Sequence, residues 1–530
     1  MIVARPKTIP LLPILIGTVL LTVPFHLSPD NFIVDDGYFY PQIARSIAHG
    51  QGSTFNGIMP TNGYHPLWML VCVLGALVTQ SSSGLIQLLT LIQDALILVS
   101  VSLLVTISRA AAKRGAVAGC AVFLFFNAVL GIWRLLEANL ALALQMVVLP
   151  LIVPIFPSIQ QRLRRWRPLL VGLLLGLTLL ARLDLIFFVA VVLSYELLHN
   201  EGKTSLTSRA AAVIQEIVVA ALLLAPYLVW NLRKFHHMQP ISGAIKSTFP
   251  HMQRLHIPIY AVPVVGAVLL SSLLLLERER TEFDALCLLT AAASALHLGY
   301  TLLFGALAPW YLTTGYLCVA LCGILLADGI LSSVPSMRWL EYAFAVIVFL
   351  SFLLLSSLRL FSNFTYSRLT HGQISFHKSY VEPKRAFAMK LRETLPAGSR
   401  IFIFDAPGGV AYYSGLSVLP ADGLVADYAY NADLERDGFA RYAMEHHLDY
   451  FVMPYLQPGQ IYDRALMRGK RTENGQVMEI QVPLTNQDAG TITLSDADLL
   501  FRFRQINPDL EAAMPEIGVW RIQHEGTVAK

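Results

Sequence analysis

The sequence predicts a polytopic α-helical membrane protein, with about eleven transmembrane helices, that carries a C-terminal α/β soluble domain. Three observations point there. Of 530 residues, 55% are hydrophobic and only 14% charged, too apolar for a soluble enzyme. Up to about Phe361 the apolar residues come in runs of the length that crosses a bilayer, roughly 20 residues each. Beyond that point the pattern becomes that of an ordinary globular domain. The expected domains are therefore a membrane body over 1–360 and a soluble domain over 361–530.

The first apolar segment, about 9–27, follows Arg5 and Lys7 like a signal peptide, but no small-x-small cleavage site follows, so it is expected to stay as the first helix. Further spans are expected near 84–108, 116–133, 139–157, 168–181, 184–198, 210–230, 257–276, 283–305, 310–330 and 339–359. The run 66–78 is short for a span and reads as a helix lying in or dipping into the interface. Alternation of these spans puts Arg5, Lys7, Arg109, Lys113, Arg114, Arg162, Arg164, Arg165, Arg167, Lys203, Arg209, Arg278, Arg280 and Arg338 on one side. By the positive-inside rule that side is the cytoplasm. The opposite face then carries Asp35, Asp36, Glu137, Arg182, Asp184, the loop 231–256, the Trp310–Tyr311 pair and the C-terminal domain.

The stretch VDDGYFYPQIARSIAHGQGSTFNGIMPTNGYHPLW, residues 34–68, sets two adjacent carboxylates, Asp35 and Asp36, at the membrane surface. A short helix is expected behind them, with Pro41 in its first turn and Gly50 ending it. Simple helix capping by the acids is the plain alternative. The ordered run of acids, Tyr, Ala-Arg, Gly-rich turn and His-Pro-Leu-Trp resembles the first extracytoplasmic loop of the GT-C glycosyltransferases. These membrane enzymes move a sugar from a polyprenyl phosphate carrier to an acceptor, and include bacterial enzymes of the protein mannosyltransferase and aminoarabinose transferase type. The resemblance implies that Asp35 or Asp36 is the catalytic base. It also implies a substrate-binding role for His65 in the second half of the motif.

Other outer clusters fit that chemistry. Glu137, three residues after Arg134, reads either as a local ion pair or as a second acid in the cavity of Asp35 and Asp36. Arg182 and Asp184 interrupt an apolar run, where such residues pair or face a watery cavity. The loop 226–247 holds Arg233, Lys234 and Lys246 on the outer face, against the topological preference. A phosphate or anionic lipids would hold such cations there. PYLVWN…F…PISGAIKS also resembles the matching segment of bacterial GT-C proteins. Arg182, Arg233, Lys234, Lys246 and Tyr311 are thus expected to bind substrate, the cations holding the carrier phosphate. His236 and His237 lack a third metal ligand.

Asp94, within a predicted span, reads as functional or as part of a polar packing seam with Gln87 and Gln93. The five cysteines all fall in apolar segments and read as small core hydrophobes. From about Glu382 two helix-then-strand units are expected, helices near 383–395 and 433–447 leading to strands at 401–405 and 449–454. GSRIFIFDAPGGVAYYSG and ADGLVADYAY resemble the soluble domain attached to many bacterial GT-C enzymes. Neither GxGxxG nor Walker patterns occur, so no nucleotide cofactor is expected, and a slight acidic excess argues against nucleic acid. Asn363 begins a glycosylation sequon.

The function implied is inverting transfer of a hexosyl or pentosyl unit from a polyprenyl-phosphate donor to a glycan, lipid or protein acceptor. The site would open to the periplasm from a bacterial inner membrane. Some relatives use a divalent metal at the acidic pair, and Asp35, Asp36 and Glu137 are the residues that would hold it here. The alternatives are a transporter or flippase of lipid-linked sugars, and a non-catalytic assembly subunit of the same architecture. Against the flippase, the acids cluster at one face rather than at midplane and no internal repeat is visible.

Overall fold

The computed structural model describes residues 11–126, 135–199, 205–277, 279–361, 364–370, 373–378, 381–464, 466–506, 510 and 513–523. Arg5, Lys7, Arg134, Lys203, Arg278 and the sequon Asn363 lie outside them. The membrane body consists of α1 (Leu11–Leu27), α2 (Phe39–Ala48), α3 (Pro66–Val78), α4 (Ser82–Ala110), α5 (Ala116–Leu124), α6 (Ala138–Ile152), α7 (Pro157–Leu163) and α8 (Arg167–Ala181). It continues with α9 (Ile186–Leu198), α10 (Leu206–Phe235), α11 (Ile241–Lys246), α12 (Val262–Leu273), α13 (Glu282–Phe304), α14 (Thr313–Ser333) and α15 (Arg338–Phe361). Every expected span corresponds to a helix. Among the described residues five helical segments are long and apolar enough to cross a membrane alone, or six if α6 and α7, bent by 88° at their junction, make one span.

Polar residues inside this body hold helices together. His26 on α1 contacts Asp94 at 2.5 Å and Gln87 at 3.2 Å on α4. Gln93 donates to the Leu136 carbonyl at 2.7 Å, and Asn139 on α6 donates to Gln93 at 2.5 Å. Asp94 therefore belongs to the polar packing seam. Cys72, Cys120, Cys287, Cys318 and Cys322 are all free and buried.

The soluble part begins with the hairpin β1 (Phe364–Thr370) and β2 (Gln373–Lys378). Next come α16 (Val381–Thr394), β3 (Arg400–Ile403), α17 (Pro407–Ser414), β4 (Ser417–Pro420), α18 (Tyr428–Glu445) and β5 (Tyr450–Pro454). The antiparallel strands β6 (Ile461–Arg464), β7 (Met467–Thr472), β8 (Gly475–Gln481) and β9 (Asp488–Leu494) follow, then β10 (Leu499–Arg504) and β11 (Glu516–Arg521). The five-stranded sheet runs β10-β11-β5-β3-β4, with β3 parallel to both β4 and β5. Both expected helix-then-strand units are present. The four-stranded sheet β6-β7-β8-β9 was not expected.

One continuous hydrophobic core joins the two parts. Tyr38, Phe39, Phe55 and Trp68 of the first outer loop share a cluster with Phe387, Val410, Ala411 and Tyr412 of the soluble part. Polar contacts reinforce the join: Asp30 accepts hydrogen bonds from Tyr38, Tyr413 and Arg385, and Tyr412 donates to the Ser82 carbonyl at 2.7 Å.

Candidate active site

The two adjacent acids occupy a 3-10 turn, Asp35–Tyr38, directly before α2, and their side chains go to different partners. Asp35 faces the soluble part. The backbone N–H groups of Gly408 and Gly409, at the start of α17, donate to its two carboxylate oxygens at 2.7 and 3.1 Å. Lys384 on α16 lies 3.5 Å away. The helix N-terminus supplies orphan N–H groups and a positive dipole end, so a carboxylate is well held there. The geometry demands glycine: a Cβ on Gly408 would stand 2.3 Å from the Asp35 carbonyl oxygen.

Asp36 points the other way, into the membrane body, 3.5 Å from the Lys246 ammonium at the end of α11. Both side chains keep about 30% exposure, 31% for Asp36 and 28% for Lys246, so this pair opens to solvent. Burial works against the Lys246 charge, but Asp36 and Tyr311 more than offset it, and its pKa is raised. The loop after α2 places Lys246. Asn62 accepts from the Ile241 N–H at the start of α11 at 3.0 Å and donates to Asn231 on α10 at 3.2 Å.

Behind this pair lies an ionic layer centred on Arg182. Arg182 is fully buried. It donates to both oxygens of Asp184 at 3.0 and 2.6 Å, to Glu137 at 2.5 Å and to the Trp310 carbonyl at 3.2 Å. Tyr40 donates to the second Glu137 oxygen at 2.7 Å, His65 stands 3.7 Å from Glu137, and His297 lies 3.2 Å from Asp184. Burial lowers the His65 pKa, although Glu137 pulls the other way. Tyr311 links the layers: its ring centre lies 4.8 Å from the Arg182 guanidinium carbon and 5.9 Å from the Lys246 nitrogen.

The structure therefore brings Asp36, Lys246, Tyr311, Arg182, Glu137 and His65 together and leaves other expected members out. Arg233 and Lys234 occupy the last turn of α10 with exposed side chains, and no ion pair or hydrogen bond joins them to Lys246 among the described residues. Four of Arg182's five N–H groups are engaged by two acids and a carbonyl. Asp35, Asp36 and Glu137 do not fit a shared cation. Each is committed to a separate partner, and no group of three His, Cys, Asp or Glu among the described residues is placed to hold a metal ion. Sequence reasoning missed Tyr40, His297 and the glycine pair 408–409. Only the Pro-Gly-Gly opening of α17 was a local signal.

No protein-family model matches the chain, and no curated protein matches it. Solved structures do. The chain superposes on ArnT from Cupriavidus metallidurans, solved with undecaprenyl phosphate bound, with a TM-score of 0.54 at 12% identity over 76% of this chain and 85% of that one. The oligosaccharyltransferase of Archaeoglobus fulgidus in the apo form gives 0.51 at 12% identity, over 83% and 69%. The chain has the GT-C fold. The loop that carries Asp35 and Asp36 lies between α1 and α4, and the C-terminal soluble part packs on it.

Proposed function

We propose that this GT-C chain is a glycosyltransferase that moves a sugar from a polyprenyl-phosphate donor to an acceptor hydroxyl or amine at the outer membrane surface, with inversion. The observation that carries the reading is the Asp36–Lys246 pair: a carboxylate and an ammonium 3.5 Å apart, both partly exposed, with an ionic layer behind them. Asp36 takes the proton of the acceptor nucleophile, whose lone pair then attacks the anomeric carbon. The bond from that carbon to the phosphate oxygen breaks, and the phosphate leaves with the electron pair, its charge held by Lys246. Asp35 does not enter this step, since its oxygens are held by Gly408, Gly409 and Lys384. Arg182 keeps Glu137, Asp184 and Tyr311 in place behind the pair.

The likeness to ArnT, solved with undecaprenyl phosphate, makes that lipid the first probe. In nanodiscs, the wild type is expected to bind undecaprenyl phosphate, and Lys246→Ala to bind it about ten- to a hundredfold more weakly, the loss of one charge-assisted contact. Equal binding by the two would remove Lys246 from the phosphate site.

A further inference from the structure

The soluble domain does more than cover the membrane body. Strands β3 and β4 run parallel and side by side, and each delivers an aspartate just past its C-terminal end, Asp405 and Asp422. The carboxyl ends of parallel strands are where open α/β sheets present ligand-binding groups. Here Gly423 and Leu424 at that edge pack against the segment before Lys246 and against the loop after α2. Gly423 packs on Ile245, the residue before Lys246, and its added Cβ would sit 3.4 Å from the Ile245 side chain. The Leu424 carbonyl presses on Gly63 so closely that a Cβ there would come within 2.1 Å.

Asp422 directly precedes these two packed residues, at the junction with the Lys246 segment. One of its oxygens accepts from the Leu424 N–H at 3.0 Å, which sets the turn, and the other makes no hydrogen bond among the described residues. Burial, together with the nearby Asp36 and Asp405 carboxylates, raises its pKa to about 7, while the Leu424 N–H and Lys246 act in the opposite direction. A carboxyl group in that state both donates and accepts hydrogen bonds at neutral pH.

We propose that Asp422 is an acceptor-binding residue, by which the soluble domain completes the active site from the side opposite the membrane. Charge and direction both support this. A carboxylate repels a phosphate, so Asp422 does not face the carrier, which Lys246 attracts. The lipid donor enters from the membrane, whereas Asp422 enters from the soluble domain. Asp36 and Asp422, both acting on the Lys246 ammonium, favour an acceptor whose reacting end carries hydroxyl or amine groups and disfavour one with a phosphate or carboxylate there.

The inference rests on the transferase reading above, and its test separates the two. Transfer from an undecaprenyl-phosphoryl sugar is measured with the full chain in nanodiscs, using as acceptor an envelope extract from cells lacking the protein. Asp422→Asn is expected to raise the half-saturating amount of extract at least tenfold and change the donor KM less than twofold, with Asp422→Glu recovering part of the loss. Unchanged extract dependence would overturn the assignment, as would an equal rise for both substrates, which is what a general distortion of the site gives. If the wild type releases no undecaprenyl phosphate, the transferase reading falls. Native mass spectrometry with the same extract and no donor then decides Asp422: a bound component lost in Asp422→Asn supports it, and equal binding overturns it.

Discussion

At the residue scale, adjacent acids have different fates because a 3-10 turn sends successive side chains in different directions. Asp35 meets a helix N-terminus, and Asp36 meets an ammonium. The resemblance implied a base at Asp35 or Asp36 without choosing between them. The partners that distinguish them, Gly408 and Lys246, lie hundreds of residues away. Arg182 carries a similar lesson. Its pairing with Asp184 was legible from the two-residue spacing, whereas Glu137, 45 residues distant, was not. The ionic layer yields a prediction opposite to that of a phosphate clamp. Arg182→Ala would leave the buried Glu137 without its cation and Asp184 with only His297, and should cost about 3–5 kcal/mol of stability, read as a lower unfolding temperature. A variant with wild-type stability and weaker undecaprenyl phosphate binding would show that Arg182 contacts the donor after all.

At the element scale, the helices were legible because a bilayer-length apolar run has few other uses, and the small sheet was legible only in part. The missed sheet β6-β9 carried a signal in Asn474-Gly475, at the two-residue turn Glu473-Asn474 that joins β7 to β8, after a strand β7 that begins with alternating burial. The start of α17 could not be foreseen as a docking point, since Pro-Gly-Gly reads equally well as an ordinary helix start. Its function as one depends on the absence of a side chain. Gly408→Ala is expected to push α17 off the first outer loop at a cost of about 1–3 kcal/mol, because the added Cβ overlaps backbone rather than a flexible side chain. Faster proteolytic separation of the soluble domain would register the change, and wild-type protease resistance would contradict it.

At the scale of the whole molecule, the membrane body holds Asp36 and Lys246, and the soluble domain packs the turn of Asp422 against the segment that carries Lys246. This junction should respond to pH. The Asp422 carboxyl holds its proton more tightly in the folded protein, with pKa about 7, than in an unfolded chain, with pKa about 3.9. Between those values the folded state binds more protons, so this group's contribution to stability falls as pH rises from about 4 to 7. Asp36 and Asp405 reinforce that trend and Lys246 opposes it. Asp422→Asn is expected to flatten this part of the profile, and an unchanged slope would show that Asp422 is not strained in the junction.

Separation of the acidic pair is the claim on which the mechanism turns. Release of undecaprenyl phosphate from an undecaprenyl-phosphoryl sugar, measured for wild type, Asp35→Asn and Asp36→Asn, tests it most directly. The account predicts that Asp36→Asn slows release about 10²–10⁴-fold with the protein intact, as loss of a general base does, and that Asp35→Asn loosens the soluble domain and keeps more of the activity. Normal release by Asp36→Asn, or a collapse confined to Asp35→Asn, would contradict it.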